Sequence, residues 1–283
     1  MHLFFSVGMT PSASPPIGVF DSGVGGLSIL REMRRQMPAE PILYFADQSH
    51  VPYGPRPMEQ VRDFSEGITR FLLDQGADLI VVACNTASAA ALTTLRRTFP
   101  VVPFVGMEPA VKPAAEVTRS GVVGVLATPA TFQGELYASV VERFARGVRL
   151  VNQTVPGLVE QIEAGHVDTP ETEDLIRRAL APILAAKADA IVLACTHYPF
   201  VIPVITRLAG PGVTVIDPAP AVARQAARLR QAAWPREPTT PGSTALVTSG
   251  DPAAFGRLAL QLIGERAGAR RAAWRGNSLI GEP

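Results

Sequence analysis

Short apolar runs alternate with segments of helical period along most of the chain. The runs Ile17–Phe20, Ile42–Ala46, Leu79–Ala83, Val101–Gly106, Val122–Ala127, Arg149–Asn152, Ala190–Ala194, Val213–Ile216 and Ala245–Thr248 predict strands. Between them, apolar residues recur every three or four positions. That spacing predicts helices over Gly26–Gln36, Met58–Gln75, Thr86–Thr98, Pro129–Phe144, Pro156–Ala164, Pro170–Ala186, Ala219–Gln231 and Pro252–Ile263. Thr169-Pro170 and Asp251-Pro252 are start signals, a capping side chain followed by a residue that needs no N–H. Strand–helix alternation predicts an α/β fold, with mostly parallel sheets covered by helices on both faces.

The pattern also repeats. Ala77–Cys84 reads Ala-Asp-x-Ile-Val-x-Ala-Cys, and Ala188–Cys195 reads the same 111 residues later. Ile17–Gly26 aligns with Val123–Phe132 at an offset of 106. Two matching pairs in one order predict two pseudo-symmetric, doubly wound halves. In open parallel sheets, ligands bind beyond the carboxyl ends of the strands. Asp21-Ser22-Gly23, Asn85-Thr86, Thr128 and Thr196-His197 all fall there. If the halves face each other, each contributes one thiol, Cys84 or Cys195, to a shared cleft.

Composition narrows the possibilities. The chain has 283 residues, 47% apolar and 18% charged, which excludes a disordered protein and suffices for two cores. The longest apolar runs, such as Leu79–Cys84, fall far short of the roughly 20 residues of a membrane span. A net charge of +1 gives no field that would advertise nucleic acid or lipid. Two cysteines form no disulfide scaffold and point to a reducing, cytoplasmic setting. Residues 1–15 read as a disordered leader rather than a signal peptide, since no Lys or Arg precedes the apolar run. The tail arginines Arg266, Arg270, Arg271 and Arg275 read as a solvated terminal segment.

A thiol can act as nucleophile, metal ligand, redox partner or proton carrier. Pseudo-symmetry favours the last. Inverting a carbon stereocentre needs a base on one face and an acid on the other, with the roles exchanged in reverse. Each thiol precedes a helix, whose N-terminus favours thiolate. Asp21 and His197 are candidate partners for Cys84 and Cys195. Asp21 could instead cap the helix near Gly26, and His197 could be a satisfied core residue. The SGVGG segment lacks dinucleotide-fingerprint spacing. A zinc site from Cys84, Cys195, His197 and His50 would lack any paired ligand spacing. The chain's two lysines, Lys112 and Lys187, lie in no motif that would hold pyridoxal phosphate.

Seven segments in order, GVFDSGVGGLS, YFADQSHVPYG, ACNTASA, GVLATPATF, LACTHYPF, VIDPA and TSGDPAAF, resemble the glutamate racemase family. The resemblance implies two α/β domains with the active site between them: a discontinuous first domain (16–110 plus 219–283) and a second (111–218). It implies cofactor-independent interconversion of L- and D-glutamate, supplying D-glutamate for peptidoglycan, in a homodimer with no membrane or nucleic-acid partner. Cys84 would act on D-glutamate and Cys195 on L-glutamate, supported by Asp21, His197 and Glu163. Glu160 competes with Glu163 for that role. The implied substrate contacts are Asp21, Ser22, Tyr53, Gly54, Asn85, Thr86, Thr128, Thr131, Thr196 and His197, with no metal. Aspartate racemase is the nearest alternative enzyme, and a non-catalytic regulatory binding protein the alternative of another class.

Overall fold

The computed structural model describes residues 15–233 and 241–282, so all of the expected leader except Pro15 lies outside the described residues. Eleven strands form two sheets among them. The first sheet contains β1 (Ile17–Asp21), β2 (Ile42–Ala46), β3 (Leu79–Val82), β4 (Phe104–Val105), β9 (Thr244–Thr248), β10 (Ala269–Arg275) and β11 (Ser278–Gly281), in the order β11-β10-β9-β2-β1-β3-β4. The second contains β5 (Val122–Ala127), β6 (Arg149–Gln153), β7 (Ala190–Ala194) and β8 (Thr214–Ile216), in the order β6-β5-β7-β8. Every pairing is parallel except that of β10 with β11.

The segment β2-β1-β3-β4 has the same winding as β6-β5-β7-β8. In each, the chain leaves a central strand, adds one neighbour, then crosses to the other side. The switch points lie between β1 and β3 and between β5 and β7, where ligand crevices form. β1, β2, β3 and β7 are buried along their whole length. Helices on both faces explain why these strands read as unbroken apolar runs. One apolar cluster runs from Val19, Leu27 and Ile29 to Leu158, Ile162 and Tyr198, so the halves share packed surface.

Several elements differ from the sequence reading. The single helix expected over Pro129–Phe144 is two, Pro129–Gln133 and Glu135–Phe144, separated where Gly134 turns extended. Val111–Val117 and Ile202–Ala209 are helices that prolines had masked. Pro113 and Pro203 lie in first turns, where a missing N–H costs nothing. The basic tail is no loose segment. Its arginines are exposed, but its backbone forms β10 and β11, with Ala272 fully buried. Among the described residues no helix is long and apolar enough to cross a membrane.

Arg230 ties the helix Ala219–Ala233, which follows the second sheet, back onto the first. Its guanidinium donates to Glu40 Oε2 at 2.7 Å and to Asp78 Oδ1 and Oδ2 at 2.8 and 2.9 Å. The arginine side chain is 3% exposed, its carboxylates 22% and 29%. Removing one partner of a buried ion pair costs roughly 3–5 kcal/mol, and the partial exposure here places the effect near the lower end. Arg230→Ala should therefore lower the chemical-denaturation midpoint. A midpoint equal to that of the unmutated protein would show that Arg230 is not a structural anchor.

Candidate active site

Cys84 follows β3 and caps the helix Asn85–Thr98; its sulfur accepts the Ala87 N–H at 3.5 Å. Cys195 follows β7 and leads into the 3₁₀ turn Tyr198–Val201. Both thiols are free, 5% exposed, and face one small pocket. Ser22, Tyr53, Gly54, Asn85, Thr86, Thr128, Thr196 and His197 line it with them. They follow the carboxyl ends of β1, β2 and β3 in one sheet and of β5 and β7 in the other, so the repeat seen in the sequence becomes two opposed walls. Pro52 and Val159 also line the pocket. Neither carries polar chemistry, and no signal in the sequence singled them out.

The remaining expected residues stand behind the wall. Asp21 is fully buried; its Oδ2 accepts from Gly23 and Gly26 N–H at 3.1 and 3.0 Å. Asp21 does not cap the first helix, whose N-cap Gly26 has no side-chain cap bond, but it holds the turn that leads into it. Its Oδ1 accepts from Thr196 Oγ1 at 3.3 Å. Thr131 supports Thr128: the two hydroxyls lie 2.9 Å apart, and Thr128 meets Thr86 across the cleft at 2.9 Å. Glu163 approaches His197, with Oε1 2.6 Å from Nε2. The other ring nitrogen, Nδ1, lies 3.8 Å from Cys195 Sγ. Glu160 lines a neighbouring apolar cavity instead, so of the two glutamates Glu163 makes the contact. His50 is not in the pocket; it stacks on Phe64 and lies 2.9 Å from Asp47.

The two thiols have unlike electrostatic surroundings. Burial, then the Asp21 carboxylate, pushes the Cys84 pKa well above the ordinary thiol value; the Ala87 N–H opposes this and is outweighed. A helix N-terminus alone therefore does not make Cys84 a thiolate here. At His197, burial disfavours the imidazolium, but the contacts with Cys195 and Glu163 prevail and raise its pKa well above the usual imidazole value. Burial also raises the Asp21 pKa, against the opposing pull of His197. Asp47, which sequence reading left without a role, accepts from Tyr53 Oη at 2.6 Å and fixes that pocket residue. Burial disfavours its charge, but contacts with His50, Tyr53 and Trp274 outweigh it and hold the carboxyl below the usual range.

Asn85 stands out among the lining residues. Its amide Oδ1 and Nδ2 are buried with no hydrogen-bond partner among the described residues. Leaving a buried polar group unpaired costs about 1–3 kcal/mol. A pocket that tolerates this suits a ligand with both donors and acceptors. Among the described residues, none lining the pocket is Lys or Arg. Asn85 and Thr86, which line the pocket, open the helix Asn85–Thr98, and the positive end of a helix suits carboxylates.

The raised His197 pKa has a measurable sign. An unfolded imidazole titrates near about 6.5. Between that value and the raised one, the folded state holds a proton that the unfolded state lacks. The stability contributed by His197 is therefore full below about pH 6.5 and lost as pH climbs toward the folded value. Urea denaturation of the unmutated protein and His197→Gln should show a stability difference that shrinks as pH rises above that point. A difference that grows with pH would contradict the paired imidazolium.

Residues 17–226 match the family described as Asp/Glu/Hydantoin racemase. A glutamate racemase from Roseiflexus sp. is 51% identical over 252 residues, covering 88% of this chain and 93% of its own. The crystal structure of a glutamate racemase from Bacillus anthracis superposes with a TM-score of 0.83 at 30% identity, covering 93% of this chain and 98% of its own. The Escherichia coli glutamate racemase, solved with L-glutamate and the activator UDP-MurNAc-Ala, gives 0.80 at 30% identity, covering 93% and 100%. The chain belongs to the Asp/Glu/hydantoin racemase family, whose glutamate racemases it matches over most of its length, and it is an isomerase acting on an amino acid.

Proposed function

We propose that this enzyme racemises glutamate by a two-base mechanism in which Cys84 and Cys195 exchange a proton with opposite faces of Cα. The observation that carries the reading is the placement of two unbonded thiols in one small pocket. One thiol removes the Cα proton as a thiolate, and the other returns a proton to the opposite face. Asp21 serves Cys84, and the His197–Glu163 pair serves Cys195. Following the family resemblance, Cys84 abstracts from D-glutamate and Cys195 from L-glutamate. The lining hydroxyls, the unpaired Asn85 amide and the helix N-termini would hold the carboxylates and ammonium of the substrate. Neither lysine lines the pocket, which supports chemistry without a Schiff base.

The same reading divides the chain into 16–110 plus 219–283 and 111–218, a division supported by the composition of the two sheets. It makes the enzyme a cytoplasmic homodimer that supplies D-glutamate for peptidoglycan, as the resemblance implies.

A general acid or base typically contributes 10²–10⁴-fold, or about that range, and inversion requires both. Cys84→Ala and Cys195→Ala should each lose racemisation of L-glutamate, followed by circular dichroism, by at least about 10²-fold. L-Aspartate, run in parallel, should turn over more slowly. Rates like those of the unmutated enzyme in either variant would end the two-base reading; faster turnover of aspartate would reassign the substrate.

A second variant probes the fit of the glycine turn. A methyl group on Gly25 would lie 2.5 Å from His197 Nδ1 and 2.6 Å from Thr196 Oγ1. Gly25→Ala should displace the imidazole and reduce kcat by about 10²-fold while the far-ultraviolet spectrum stays unchanged. Full activity in Gly25→Ala would mean that the imidazole position does not matter.

A further inference from the structure

Two of the sequence motifs, YFADQSHVPYG and TSGDPAAF, contain residues with no role so far. The structure joins them behind Glu163. Thr248 ends β9 and sits beside the end of β2, in register with Ala46; Gln48 lies two residues beyond that partner. The Gly250 N–H donates to Thr248 Oγ1 at 3.0 Å. That bond takes up an oxygen lone pair, and the Thr248 hydroxyl donates onward to Gln48 Oε1 at 2.9 Å. With its oxygen so engaged, the Gln48 amide presents Nε2 to Glu163 Oε2, at 3.4 Å. The other carboxylate oxygen, Oε1, accepts from Val24 N–H at 2.7 Å and meets His197 Nε2 at 2.6 Å.

Glu163 and His197 belong to the second sheet's half of the chain, but Val24, Gln48 and Thr248 belong to the first sheet's. The carboxylate that orients the imidazole beside Cys195 is thus received in a socket built by the opposite half. Neither Gln48 nor Thr248 lines the pocket, so neither touches a ligand bound there. Gln48 is only half-buried, so its replacement leaves the core intact. By contrast, the bonds from Gly23 and Gly26 to Asp21, near Cys84, stay within one half.

We propose that Gln48, oriented by Thr248, is a positioning residue that holds Glu163 against His197 and through it sets the proton-transfer competence of Cys195. The proposal rests on the two-base reading of the site. Cys195, Glu163 and Asp21 are the titratable groups facing His197, and Tyr44 packs against the same glycine turn through a bond from its hydroxyl to Gly23 O at 2.8 Å.

The test compares the unmutated enzyme with Gln48→Leu, Gln48→Glu and Thr248→Val. Glutamate racemisation gives kcat and KM, and NMR of the histidine ring protons gives the His197 titration. Gln48→Leu removes the donor and should lower kcat about tenfold with KM changed less than twofold, since the pocket wall is untouched. Its His197 titration should fall toward the ordinary imidazole value as Glu163 is released. Gln48→Glu places a second carboxylate against Glu163 and should reduce kcat at least as much. Thr248→Val frees the amide to turn over and should give a smaller loss in the same direction. Unchanged kcat together with an unmoved His197 titration in Gln48→Leu would overturn the proposal. The NMR readout does not require activity, and the cysteine variants test the two-base reading separately, so failure of one is distinguishable from failure of the other.

Discussion

The carboxylate of Asp21 accepts two backbone N–H groups, from Gly23 and Gly26, and these bonds fix the path of the turn between β1 and its helix. Much of the site depends on that path. The turn presents the Val24 N–H to Glu163, and its glycines leave space for the Glu163 carboxylate and the His197 ring. Ser28, just beyond, donates to the Thr196 carbonyl at 3.0 Å. One buried carboxylate therefore shapes the surface on which the second half of the protein rests. The same group bears on Cys84 electrostatically, so structural support and acid–base chemistry share an atom set. Burying this charge has a cost, which raises the Asp21 pKa.

The repeat makes the backbone walls nearly equivalent, yet the side chains behind them are not. Cys84 faces a carboxylate that disfavours its thiolate, whereas Cys195 faces an imidazole whose cation is favoured by Glu163. Read as a two-base enzyme, the protein has duplicated the geometry and let the proton inventory differ. A reaction with two nearly mirror-related substrates needs equivalent reach on both faces. It does not need identical partners, because each thiol must only be deprotonated in one direction and protonated in the other.

How much of this the sequence discloses depends on the range of the interactions. Strands and the thiol positions are legible because buried parallel strands have a distinctive apolar run and the repeat marks their ends. Glu160 and Glu163 are not separable by sequence, because they lie three residues apart on one short helix and so share a face. Only the position of His197 distinguishes them. β10 is illegible for another reason: ARRAAWR has no apolar alternation, and its membership in the sheet comes from backbone pairing and the burial of Ala272. Gln48 and Thr248 are 200 residues apart, and nothing local announces that their strands adjoin.

The pocket reads glutamate, on this account, with scarcely any formal positive charge. Its wall lacks Lys and Arg among the described residues, and the cationic group nearest the thiols is the His197 imidazole, whose pKa is raised. Under the proposed function, carboxylate recognition falls to hydroxyls, the Asn85 amide and the helix start at Asn85. These partial charges are spread over several donors, each fixed by backbone structure. Under the two-base reading, a lysine placed among them would pair with the thiolate that has to act as a base, and its flexible side chain would compete for the same carboxylates. A fixed dipole at a helix N-terminus favours the thiolate too, but it carries only a partial charge, cannot move toward the sulfur and cannot give up a proton. The Cys84 sulfur already accepts one such N–H, from Ala87, and still has its pKa raised by burial and Asp21. Under the two-base reading, the pocket thus separates two demands: neutral polar groups bind the anion, while burial and Asp21 keep the Cys84 thiol strongly basic.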